Sequence, residues 1–82
     1  MNENRIAIIG IIIERNDAVE AVNRILHEYN SYIVGRMGIP CRDRGINVIS
    51  VALDAPQGVI NCIAGKLGRL DGVSSKALSV SK

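Results

Sequence analysis

Eighty-two residues bound this chain to one domain, spanning 1–82. Ten basic against eight acidic side chains leave a net charge of +2, spread too thinly for the dense basic face of a nucleic-acid binder, and Tyr29 and Tyr32 are not interleaved with basic residues as a single-strand binder requires. The longest apolar run, Ile6 to Ile13, is 8 residues, far short of a bilayer span, and no signal peptide is recognisable, so a cytoplasmic protein with reduced thiols and no membrane partner is expected.

Apolar residues make up 48% of the chain, supplied by Ile, Val, Ala and Leu with no Trp or Phe, a β-branched balance that suits a sheet with helices packed on it. The run "RIAIIGIIIE" (5–14) reads as a strand ended by the polar "ERND". A helix follows over 17–29. Asp17 with Glu20 three residues on has the spacing of a capping box, and Ala18, Val22, Ile25 and Tyr29 fall on one stripe, with Val19 and Leu26 beside it. "SYIVGRMGI" reads as a second strand and "RGINVISVALD" as a third. "PQGVINCIAGKLGRL" is a second helix with Pro56 in its first turn and Val59, Ile60, Ile63, Leu67 and Leu70 on its apolar face. Cys62 lies near that face and is expected as a small core residue. "DG" at 71 and 72 is a turn, and "VSSKALSV" is the last strand.

The order is strand, helix, strand, strand, helix, strand. A shift of 40 residues lays Ile6 on Ile46, Ile9 on Ile49, Ile11 on Val51 and Val19 on Val59. Together they point to two βαβ halves: an α+β, ferredoxin-like sandwich with one antiparallel sheet and both helices on one face. Such a sheet should alternate apolar and polar. The first strand does not: Ala7, Ile9, Ile11 and Ile13 point one way, and Ile6, Ile8 and Ile12 the other. In the third strand, Val48 and Ala52 likewise fall on the side that two helices cannot reach. An exposed apolar face marks an interface, so Ile6, Ile8, Ile12, Val48 and Ala52 are expected in the contact of a homo-oligomer, a dimer or tetramer.

Chemistry-bearing residues are few. Arg42 and Arg44 beside Cys41 would stabilise a thiolate, as in a redox sensor, but no second cysteine lies nearby and the plainer reading is a loop residue among solvated arginines. His27 lies late in the first helix, as a surface residue with no partner at catalytic spacing. One His builds no metal site within a chain, and no metal or cofactor is expected. Glu14, Asp17 and Glu20 cluster at the first strand–helix junction, where capping explains two of the three. The glycines of "GRMGIPCRDRG" (35–45) match neither a phosphate loop nor a dinucleotide fingerprint. Gly35 and Gly38 sit in a strand pattern, where glycine suggests a bulge or close backbone contact, and Gly45 suits a turn with positive φ.

"GRMG-P-R--GIN-IS" (35–50) and "GKLG-L-GV--K" (65–76) resemble the small regulators associated with the iron-only hydrogenase system of anaerobic bacteria, over nearly the whole chain. The resemblance implies an ACT-like, ferredoxin-like fold similar to the ligand-sensing, oligomerising domain of the nickel-responsive repressor. It implies a non-catalytic regulatory role, including a transcriptional one. The repressor's metal site uses histidines of its second strand, and "VGRMGIPCRDRGINV" has none, so nickel ligation does not carry over. The repressor's separate DNA-binding segment has no counterpart, since the sheet begins near Arg5. A small-molecule ligand is expected first at Glu14, Arg15, Asn16 and Asp17, where ACT-like domains often place one, and second at the turn carrying Arg36, Arg42 and Arg44, whose guanidinium groups suit an anion. Two other readings stay open: a protein–protein interaction module without a ligand, and a small dimeric ferredoxin-like enzyme drawing on Tyr32, His27 and Glu14.

Overall fold

The structure, a computed structural model, describes residues 3–81. It has the expected order: β1 (Asn4–Ile13), α1 (Val19–Glu28), β2 (Ile33–Cys41), β3 (Ile46–Pro56), α2 (Gln57–Gly68) and β4 (Val73–Ser81), with single 3-10 turns at Asn16–Ala18, Asn30–Tyr32 and Arg42–Arg44. The four strands form one antiparallel sheet in the order β2-β3-β1-β4, a ferredoxin-like arrangement with the two βαβ halves interleaved.

Period-two alternation decides which face each strand residue joins. Ala7, Ile9, Ile11 and Ile13 of β1 and Ile49, Val51, Leu53 and Ala55 of β3 are buried against the helices. The helices meet them with residues at helical spacing: Val22 and Leu26 from α1, and Ile60, Ile63 and Leu67 from α2. Together with Ala18 and Val73 these side chains form one core. On the helix side of β4, Ser75 Oγ donates to the Ala64 carbonyl at 2.8 Å and Ser79 Oγ donates to Gln57 Oε1 at 2.9 Å, tying α2 to the sheet edge. Lys66 joins the helices at their far ends: its ammonium lies 3.3 Å from Glu28 Oε2 and 4.9 Å from the centroid of the Tyr29 ring.

Several local expectations change. Asp17 does not cap a helix. It lies in the 3-10 turn, α1 begins after Ala18 with no side-chain cap, and the Asp17 carboxylate instead accepts from Arg15 Nη2 at 2.8 Å. Cys62 is exposed, because the inward positions of α2 are 60, 63 and 67, and 62 is turned away from all three. β2 runs on to Cys41 with Pro40 inside it, which an edge strand tolerates because the missing N–H would face outward. The register slips between Ile33 and Gly35, so a bulge does sit at the first glycine of β2, and Gly45 has φ 66°, as its turn requires.

Candidate functional site

The sheet face away from the helices carries most of the exposed large apolar side chains among the described residues. Ile6, Ile8 and Ile12 of β1 are between 44% and 48% exposed, and Leu78 of β4 and Val34 of β2 reach 71%. Met37, Ile39 and Val80 are exposed beside them, while Val48 and Ala52 are half-buried. The five residues expected at an interface therefore share one face, as the register requires: Ile12 pairs with Val48, and Ile8 with Ala52. The face is not flat. Gly10 interrupts the isoleucine row, and around it Ile12, Val48, Ser74 and Lys76 border a shallow depression of about 280 Å³.

Only two charged side chains of the described strands project from this face, Asp54 of β3 and Lys76 of β4. Asp54 pairs with Ile6 and Lys76 with Gly10, so Ile8 lies midway between them. Two strand spacings across and four residues along put them about 17 Å apart.

The residues expected to hold a ligand fall in three places. Glu14 to Asp17 lie at the β1–α1 junction, all exposed. There the Glu14 amide donates to the Gly72 carbonyl at 2.7 Å, and Arg15, Asp17, Ala21, Leu70 and Asp71 line an open depression of about 260 Å³. The Arg15 guanidinium is engaged by Asp17, so this depression presents no unpaired cation. Arg42 and Arg44 flank Asp43 in the turn after β2 and, with Pro40 and Cys41, edge a wide hollow of about 480 Å³.

Arg36 is elsewhere. Strand alternation turns it toward the helices, opposite Val51, and its Nη2 donates to Asn23 Oδ1 of α1 at 2.7 Å. Asn47, on the same side of β3, donates from Nδ2 to Asn16 Oδ1 at 3.5 Å. The structure thus links Asn16 to the neighbourhood of Arg36 and leaves Arg42 and Arg44 apart, whereas adjacency in sequence had grouped the three arginines. Asn23 and Asn47 escaped sequence reading because neither belongs to a motif. Arg36 and Arg42 are parted because the first lies within β2 and the second in the 3-10 turn that follows it.

The thiols of Cys41 and Cys62 are free, the first partly buried and the second exposed. Among the described residues, no three His, Cys, Asp or Glu side chains converge as metal ligands, and no helix is long and apolar enough to cross a membrane. Tyr32, His27 and Glu14, the groups an enzyme would need, lie in the 3-10 turn before β2, late in α1 and after β1 respectively.

The chain is similar in structure, at a TM-score of 0.91 and 31% identity, to the uncharacterized protein TM1266 from Thermotoga maritima, over 96% of this chain and 100% of that one. More distant likenesses show the fold alone. The C-terminal domain of the MgtC protein from Mycobacterium tuberculosis matches at a TM-score of 0.75 and 14% identity, covering 96% of this chain and 90% of that one. A formyltetrahydrofolate deformylase from Pseudomonas putida matches at 0.64 and 18%, covering 89% of this chain and 28% of the enzyme. No curated protein matches. Residues 5–77 match a family described as "TM1266-like: Iron-only hydrogenase system regulator, putative". The match runs from the second residue of β1 to the middle of β4, and the chain belongs to the TM1266-like family.

Proposed function

We propose that the chain is a non-catalytic regulatory module of an iron-only hydrogenase system that works as a homo-oligomer assembled through the open face of its sheet and senses a small molecule. The observation that carries this reading is the open face itself. Ile6, Ile8, Ile12, Met37, Ile39, Leu78 and Val80 expose a continuous apolar surface, of the kind that an isolated soluble chain rarely leaves bare.

A second copy is the occupant that the face suits. A two-fold contact places each patch against itself, so residue i of one copy meets residue j of the other and the reverse. Asp54 and Lys76 are opposite in sign and equidistant from Ile8. A two-fold axis crossing the face at Ile8, at right angles to the line between them, sets Asp54 of each copy against Lys76 of the other and leaves the isoleucines to pack between. Both charges then sit toward the rim, where they fix orientation more than affinity. Within this reading, transcriptional action would pass through a DNA-reading partner.

Light scattering on the full chain at micromolar concentration tests the assembly. A mass of two or four chains is expected, falling to one chain in Ile8→Glu with the fold retained by circular dichroism. A wild-type chain that stays monomeric overturns the reading.

A further inference from the structure

The helix side of the sheet is not fully covered at its β2 edge. There the inward positions of β2 are Arg36, Gly38 and Pro40. Gly38 has no side chain to offer, and a Cβ built on it would come no closer than 4.0 Å to another atom, Ile49 Cγ1. The result is a pocket of about 140 Å³ between α1 and the strands, with Ile13, Val19 and Ile49 at its apolar floor and Asn23, Arg36 and Asn47 at its polar rim.

The rim has a definite polarity. Arg36 spends one N–H on Asn23 Oδ1, which orients the guanidinium and turns the Asn23 amide so that its Nδ2 is left to donate. Among the described residues no carboxylate pairs with Arg36. The rim thus holds one full positive charge with guanidinium donors left over and the Asn23 amide beside it, groups of the kind that a carboxylate accepts from in two-pronged fashion. The floor is apolar, and the volume is below the ~300 Å³ at which drug-sized sites begin, so the rest of the ligand is short and aliphatic.

We propose that this pocket binds a short-chain organic carboxylate, its carboxylate on Arg36 and Asn23 and its alkyl chain over Gly38 against Ile13 and Ile49. The proposal names a ligand class for the regulatory reading above and rests on that reading only for its biological role, since the pocket lies on the opposite side of the sheet from the assembly face. It also gives Gly38 a purpose: any larger residue would fill the space that the alkyl chain takes.

The test is a titration of the full-length chain with sodium butyrate at constant ionic strength, followed by two-dimensional nitrogen–proton NMR, with butyramide as the uncharged control. Saturable shifts are expected at the Arg36 side chain and the Asn23 side-chain amide, with no saturable response to butyramide. Arg36→Gln should weaken binding at least tenfold. Gly38→Val, for which the strand has room and valine a good propensity, should abolish it while leaving the melting temperature unchanged or higher. No saturable shift with butyrate, an equal response to butyramide, or undiminished binding in Gly38→Val overturns the proposal. Light scattering on the same samples separates the two ideas: an oligomer that ignores butyrate removes the ligand class alone, and a monomer that binds it removes the assembly alone.

Discussion

The backbone amide of Glu14 donates to the carbonyl of Gly72 at 2.7 Å, and this bond brings the Arg15 side chain down over Gly72. A Cβ on Gly72 would lie 2.5 to 2.9 Å from the Cβ, Cγ and Cδ of Arg15, and the residue has φ 76°. Gly72→Ala therefore meets two penalties, a left-handed backbone and a displaced arginine stem. A loss of about 1–2 kcal/mol is expected from the backbone alone. Urea unfolding of Gly72→Ala, Arg15→Ala and the double variant separates them, because removing the Arg15 stem should recover only the steric part.

Asp54 and Lys76 provide a charge-reversal test of the assembly. Asp54→Lys places like charges across the proposed two-fold contact and should weaken association at least tenfold in analytical ultracentrifugation. Lys76→Asp should do the same. The double exchange restores opposite signs and should recover most of the affinity, and the recovery should shrink as salt is raised.

Lys66 is held in its charged form by the Tyr29 side chain first and by Glu28 second, which raises its pKa above the ordinary 10.5. A raised value means that the folded state binds the proton more tightly than the unfolded state. The stabilisation is fully present below the unfolded value and is lost as pH climbs through the folded one. Lys66→Met keeps an apolar stem against Tyr29 and removes the charge. Its melting temperature should lie below wild type at pH 7, and the gap should close as pH climbs past the raised folded-state value.

Ile63 of α2 has no exposed surface and sits against the strands at the centre of the core. Ile63→Ala should cost about 2–5 kcal/mol by chemical denaturation, according to how far the helix can settle into the space. The same truncation at Ile8 on the open face should cost the single chain far less and act mainly on association, so the pair of variants reports burial and assembly separately.

Much of this arrangement was legible in the sequence, for identifiable reasons. β1 and β3 carry isoleucine, valine, alanine and leucine at every second position on the covered face, a repeat with the period of a strand. The excess apolar row of Ile6, Ile8 and Ile12 was equally readable, because two helices cannot cover two faces. Asp17 was misread because a capping box needs the helix to start directly after it, and a 3-10 turn intervenes. Cys62 was misplaced by one helical position, about 100° of rotation, enough to carry it from the core to solvent. The site was the least legible part. Asn23 and Asn47 are ordinary residues until α1 and β3 set them beside Arg36, and the space over Gly38 is left because glycine brings no side chain into it.

Gly10 has a consequence for how the chain finds its own register. The two faces of β1 are so nearly equal in hydrophobic content that a slip of one residue, which exchanges every side chain between them, would lose little apolar burial. Gly10 breaks the tie. In the observed register it faces outward between Ser50 and Lys76. In a slipped strand it would point at the helices in place of an isoleucine and leave a void there worth at least about 2 kcal/mol. The gap in the isoleucine row thus serves as a reading-frame mark, penalising the one misfolded pairing that hydrophobicity alone would accept.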